Sequence, residues 1–296
     1  SKERRDWLEK AEAAGFPGTC CSWIKGLYQA ARECGAEGVV GVMAGDCSNT
    51  HALVEIWQFE GLKTYPFAFP YDRSKEALRG EMERLCAKLG ADFREAEEWK
   101  KRLDPLRRLA AEVDRLTWEE NRVTGFENHL HLVNASDFLS DTARYEAEIT
   151  AFIETAKKRE PFKESIRLGY IGVPPIFDDL YQSAETLGAR VVFNEVQRQF
   201  SLPYFDDSLI DAYSKYTYPY DVFGRIEDIK REIERRRIDG IINYAQSFCF
   251  RQMEEVIFKK SLGVPVLTIE GDRPMALDPR TRTRLESFIE MLGSSF

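Results

Sequence analysis

Long apolar runs are missing from this chain. None approaches the roughly 20 consecutive apolar residues that a helix needs to cross a bilayer. The first residues, Ser1-Lys-Glu-Arg-Arg-Asp, open a charged amphipathic segment in place of a signal peptide. A soluble, cytoplasmic protein with no membrane partner is therefore the expectation. A basic excess is missing too: 42 Lys and Arg face 50 Asp and Glu, for a net charge of −8. Basic and acidic residues alternate, as over 230–237, so no basic stripe exists for a phosphate backbone and no nucleic acid partner is expected. No Gly-x-x-x-x-Gly-Lys-[Ser/Thr] loop occurs, which leaves no cradle for a nucleoside triphosphate. Histidine numbers three and no Cys-x-x-Cys pair occurs, which argues against the knuckles of a structural zinc site.

What is present is organised around one repeated unit. Gly38-Val-Val-Gly-Val-Met-Ala-Gly-Asp-Cys47 reads as a short strand ending in a turn, and Ser48-Asn-Thr50 then opens an amphipathic segment over 52–59. Gly240-Ile-Ile-Asn-Tyr-Ala-Gln-Ser-Phe-Cys249 repeats the pattern. From the first glycine to the cysteine the spacing is 9 in both copies (47 − 38 and 249 − 240). From the cysteine to the glycine that closes the helix it is 14 in both (61 − 47 and 263 − 249). Each closing glycine leads into another strand, 63–70 and 264–270, followed by Asp72 and Asp272. We read a duplicated β-Cys-α-Gly-β unit. Such a turn lies at the carboxyl end of a parallel strand, where open α/β sheets bind their ligands.

With 296 residues the chain is long enough for two cores. The predicted class is α/β: two Rossmann- or flavodoxin-like doubly wound lobes with parallel sheets, joined by a helical segment. Residues 1–90 form the first α/β lobe with an N-terminal helix, 91–160 the helical connector, and 161–296 the second α/β lobe. Strands are predicted at 39–43, 64–69, 166–173, 190–195, 240–245 and 264–269. Residues 201–223, rich in Tyr, Asp and Pro, read as an irregular lid or interface loop. His129 and His131 lie in the connector without a partner at metal-ligand spacing, and a structural role is expected of both.

The six cysteines divide into two groups. Cys34 and Cys86 fall far along their helices and are expected to be buried structural thiols. Cys20, Cys21, Cys47 and Cys249 fall on turns at the ligand-binding ends of strands. Single cysteines delivered from separate turns suit an iron–sulfur cluster held between lobes. Zinc is the rival ligand, and small buried side chains filling the crevice are the bland alternative. At the Thr19-Cys-Cys-Ser22 helix start, backbone N–H groups favour a thiolate. His51, one turn past Cys47, and Glu55 on the same helical face are the candidate catalytic proton donors, with a solvated or capping role as the alternative for His51.

Several segments then resemble one family along nearly the whole chain. Cys21-Ser-Trp-Ile-Lys25, Val39-Val-Gly-Val-Met-Ala-Gly-Asp-Cys47, Trp118-Glu-Glu-Asn-Arg122, Asp239-Gly-Ile-Ile with Cys249, Val264-Pro-Val-Leu-Thr-Ile-Glu-Gly-Asp272 and Thr283-Arg-Leu-Glu-Ser-Phe-Ile-Glu-Met-Leu292 are similar to segments of the 2-hydroxyacyl-CoA dehydratase and benzoyl-CoA reductase subunits. The double-cubane cluster proteins belong to the same group. The resemblance implies a 4Fe-4S unit held by Cys21, Cys47 and Cys249, with one iron lacking a cysteine. Cys20, an addition to the single-cysteine pattern, is a replacement ligand, an extra ligand or a neighbour. Cys20 and the Cys47-Ser48 pair, where dehydratases commonly have Cys-Asp, point toward the double-cubane relatives. There an 8Fe-9S centre would draw its thiolates from both subunits of a homodimer. The resemblance further implies a separate ATP-hydrolysing activator with its own 4Fe-4S cluster. The function it implies is an ATP-dependent, low-potential iron–sulfur reductase of a small molecule. A dehydratase subunit, or a non-catalytic electron-transfer or sensing protein, is the alternative.

Overall fold

The structure, a computed structural model, describes residues 2–163 and 166–294. After α1 (Lys2–Ala13) and α2 (Ser22–Glu33), strand β1 (Gly38–Ala44) leads through α3 (Ser48–Phe59) to β2 (Lys63–Ala68), and α4 (Lys75–Leu89) follows. β1 and β2 pair in parallel as a two-stranded sheet. Three helices come next: α5 (Phe93–Trp118), α6 (Gly125–Asn134) and α7 (Thr142–Lys157). The second sheet is built from β3 (Ile166–Ile171), α8 (Leu180–Thr186), β4 (Ala189–Asn194), α9 (Glu195–Phe200), α10 (Leu209–Ser214), α11 (Val222–Arg236), β5 (Gly240–Gln246), α12 (Glu255–Ser261), β6 (Val266–Gly271) and α13 (Pro279–Gly293). A 3-10 turn over Phe250–Glu254 precedes α12. The strand order is β4-β3-β5-β6 and every pairing is parallel. The α/β class with two parallel, doubly wound sheets therefore stands.

The two Cys-bearing units share their register as well as their spacing. Gly38 pairs with Lys63 and Ile241 with Val266, an offset of 25 in both (63 − 38 and 266 − 241). Both crossovers end on a left-handed glycine, Gly61 at φ 83° and Gly263 at φ 76°, a conformation that costs other residues a Cβ clash. The sheets differ in burial. β4 and β5 are buried at every position, as strands covered on both faces must be. In β1 and β2 only Gly41 and Phe67 are fully buried. The smaller sheet covers its apolar face with Leu53, Val54 and Trp57 of α3 and with Ile24 and Tyr28 of α2.

Contacts between these elements fix the crevice. Phe67, Phe69, Leu78 and Met82 share one cluster with Ile210 and Tyr220, so residues 201–223 reach back to the first sheet. Lys75 to Asp211 (2.6 Å) and Arg73 to Asp221 (3.2 Å) hold them there. That segment contains the short helix α10 where an irregular loop was expected. Deeper in, the buried Arg236 of α11 makes a two-pronged pair with Asp114 of α5 (2.9 and 2.6 Å), reaches Glu232 at 2.6 Å and donates to the Val192 carbonyl at 2.8 Å. Further expectations need correction. Glu195 begins α9 instead of ending a strand. Cys34 is exposed, because it sits at the C-cap of α2, off the stripe made by Ile24, Tyr28 and Ala31.

Candidate metal centre

The three cysteines of interest occupy one structural position. Cys21, Cys47 and Cys249 are the N-cap residues of α2, α3 and the Phe250–Glu254 turn. A cap residue normally uses a side-chain oxygen to satisfy the first backbone N–H groups of its helix. None of the three thiols makes such a cap bond. The sulfurs are thus left at the positive ends of three helical segments, where an anion is favoured. Asp46 pins the middle turn: one carboxylate oxygen accepts from the Cys47 N–H at 2.7 Å and the other from the Thr50 hydroxyl at 2.8 Å. Gly45, at φ 99°, makes the sharp bend that precedes it.

All three thiols line a single cavity of about 510 Å³. It opens where the ends of β1 and β2 face the ends of β3 and β5, the pair between which the second sheet reverses its strand order. Its walls are largely apolar, with Trp23, Leu27, Val42, Phe69, Val196 and Phe200 among them. The charged lining residues, among those described, are Asp46 and Arg251. Tyr218 and Pro219, from the segment that bridges to the first sheet, close one side.

Burial favours the protonated form of two of these thiols, Cys21 and Cys249. Burial pushes Cys21 up from the ordinary thiol value, opposed by the N–H groups of Ile24 and Trp23 and reinforced by Cys249 and Cys47 nearby. Burial also raises Cys249, opposed by the backbone N–H and then the charge of Arg251. These mutual influences put the three sulfurs in one electrostatic neighbourhood. Among the described residues no group of three or more His, Cys, Asp or Glu converges tightly enough for a single metal ion. A mononuclear site needs each sulfur about 2.3 Å from one atom. A polynuclear cluster spreads its thiolates over several irons, and this donor set suits that arrangement.

Residues 1–292 match the family described as 2-hydroxyglutaryl-CoA dehydratase, D-component. The chain belongs to that family. A search among curated proteins returns no match. Membership in the dehydratase D-component family makes the chain a dehydratase-type component, in a family known for iron–sulfur clusters and for working with an activator.

Within this family member the expected site residues separate cleanly. Cys21, Cys47 and Cys249 meet at the cavity, whereas Cys20 is not among its lining residues and directs its sulfur to the Cys21 carbonyl at 3.9 Å. Burial raises the Cys20 thiol, with Lys25 opposing. His51 and Glu55 are both exposed and neither lines the cavity; the His51 ring is bonded to the Met43 carbonyl. His131 packs 4.2 Å from the Phe152 ring and His129 meets Gln197 at 3.2 Å, both packing roles. Sequence reasoning missed Arg251, Gln199 and Gln246. Arg251 stands two residues past Cys249, and that proximity was the one available signal. Gln199 holds the Tyr-rich segment by accepting from the Thr217 and Tyr218 N–H groups at 3.1 and 3.3 Å. No described helix is long and apolar enough to cross a membrane.

Proposed function

We infer that Cys21, Cys47 and Cys249 hold an iron–sulfur cluster, and that the chain is the iron–sulfur component of a low-potential reductase or dehydratase system driven by a separate ATP-hydrolysing activator. The carrying observation is the convergence of three non-capping N-cap thiols, from two sheets, on one apolar cavity. When bound, the cluster supplies low-potential one-electron chemistry at an iron that has no cysteine ligand. The chain's own residues do the rest. The helix starts behind each cysteine favour the anionic sulfurs. Trp23, Phe69 and Phe200 keep water from the crevice and lower its dielectric, which strengthens every charge interaction inside. The sequence carries no phosphate-cradling loop, which supports a reading in which ATP is hydrolysed by the activator.

Reduction of a small molecule is the first reading, supported by Cys47-Ser48 where dehydratases commonly carry Cys-Asp. Dehydration of a 2-hydroxyacyl thioester is the second, favoured by the family's description. A homodimer with three thiolates from each subunit, sharing a double-cubane 8Fe-9S centre, completes the first. Anaerobic purification tests the shared core: about four irons per chain are expected, and a colourless, iron-free protein after reconstitution would sink it. Acid-labile sulfide nearer nine than eight per dimer separates bridged from separate cubanes. Turnover with an ATPase activator, on 2-hydroxyacyl-CoA against small-molecule acceptors, separates the two reactions.

A further inference from the structure

Arg251 is the one positively charged residue among the described residues that line the cavity. It stands two residues past Cys249, on the 3-10 turn that Cys249 opens. The guanidinium is about nine-tenths buried and held on three sides. It lies over the Tyr218 ring at 4.1 Å from the centroid, donates to the Tyr218 carbonyl at 2.6 Å, and pairs with Glu254 at 2.8 Å. Glu254 in turn binds Arg225 through its second oxygen. Arg225 forks onto the fully buried Glu195 with two bonds of 2.8 Å, and Glu195 also accepts the Gly172 N–H at 3.0 Å. The result is a buried row of alternating charge, Glu195, Arg225, Glu254, Arg251, whose cationic end faces the cavity.

Such a row is costly to build. Each carboxylate and guanidinium taken out of water needs a partner of opposite sign, and the fork between Arg225 and Glu195 supplies one at the far end. Burial opposes the charge on both groups, yet their pairing prevails: Arg225 is held above and Glu195 below its ordinary value. The row is neutral as a whole, two carboxylates against two guanidiniums, but Arg251 lines the cavity and Glu254 does not, so the end nearest the cavity is the cation. A fixed cation, offset from behind by Glu254, therefore stands in an apolar cavity two residues from a candidate ligand.

We propose that Arg251 sets the reduction potential of the cluster held by Cys21, Cys47 and Cys249, and that Glu254 trims its charge. The proposal rests on the cluster assignment above. Reduction adds negative charge to the cluster, and a nearby cation in a low-dielectric cavity favours the reduced form. Removing the cation makes the cluster harder to reduce, and removing the shared carboxylate makes it easier. Arg251 acts here through charge and position, without a role as an acid or base.

The test is an anaerobic redox titration, followed by electron paramagnetic resonance, of the iron-loaded wild type and of Arg251→Gln, Arg251→Lys and Glu254→Gln. Arg251→Gln should lower the reduced-to-oxidised ratio at a fixed potential by at least about tenfold, equivalent to a midpoint about 59 mV lower for one electron. Arg251→Lys, which keeps the charge, should stay within about threefold of wild type. Glu254→Gln should move the midpoint upward. Opposite signs for the Arg251→Gln and Glu254→Gln variants support the proposal, since a structural role would not produce them. An iron-loaded Arg251→Gln with an unmoved midpoint overturns it. Should that variant fail to load, Glu254→Gln decides: an unchanged or lowered midpoint overturns the proposal. A wild type that takes up no iron refutes the cluster assignment instead, a result recognisable before any variant is made.

Discussion

Gly45 tests how tightly the Cys47 turn is built into the cavity wall. A Cβ added there would lie 2.9 Å from both the Cβ and the carbonyl oxygen of Pro219 and 3.0 Å from the Phe69 ring. Its φ of 99° also lies in the region that side chains disfavour. For Gly45→Ala, the positive φ costs about 1–2 kcal/mol. Forced contact with packed neighbours adds about 1–3 kcal/mol, and the stiffer unfolded chain offsets about 0.4–1 kcal/mol. The expected loss is about 2–4 kcal/mol, read from the urea midpoint at unchanged slope. Gly61 isolates the steric part. It has a comparable φ of 83° but nothing within 4 Å of an added Cβ, so Gly61→Ala should cost only about 1 kcal/mol. Because Pro219 and Cys47 both border the cavity, Gly45→Ala should also reduce iron uptake, which Gly61→Ala should leave intact. A Gly45→Ala protein no less stable than Gly61→Ala would refute the close approach of the Pro219 segment to the Cys47 turn.

Replacing Cys21, Cys47 or Cys249 individually by Ser should abolish cluster loading, while Cys20→Ser should keep it; iron and sulfide assays after anaerobic reconstitution decide, and equal loss in the Cys20 variant would contradict the ligand assignment. Arg236→Met takes the ion-pair partner from Asp114 and the nearest one from Glu232, and urea unfolding should show a loss of about 3–5 kcal/mol. A loss below about 1 kcal/mol would mean that both carboxylates regain solvent without disturbing the packing of α5 on α11. Glu112 is held down to about 2, first by its hydrogen bond from Arg115, with burial opposing and Lys157 assisting. Its folded value lies below its unfolded one, so its stabilisation is complete above about pH 5 and fades as pH falls toward about 2. Melting temperatures across that range should converge for wild type and Glu112→Gln at the acid end; a constant difference would remove Glu112 from the acid transition.

Much of the fold was legible because parallel strands buried on both faces must be written as apolar runs. The 240–245 run needed no periodicity argument, and its glycine and cysteine spacings matched it to the unit around Cys47. Failures came where tertiary contacts overrode pattern. In α9, Gln197, Arg198 and Gln199 are polar and yet buried, so a six-residue helix left no amphipathic trace. The 201–223 segment looked irregular because its docking depends on Lys75 and Arg73, both distant in sequence. The choice between Cys20 and Cys21 was illegible in principle: neighbours in a turn differ in direction, and only the start of α2 shows which sulfur faces the crevice. Arg251 looked like one more alternating charge until the fold set it beside Cys249.

The shared offset of 25 between partner strands has a consequence for length. One residue inserted into either crossover must bulge out of the helix or pass into the following strand. If it passes on, the strand turns over: Phe67 in β2, or Ile269 in β6, would exchange its buried face for the opposite one. The two cysteine-bearing units are thus intolerant of insertion or deletion. Scanning the chain with single-residue insertions would trace them as two matched silent zones, each running from a cysteine to the strand that follows it.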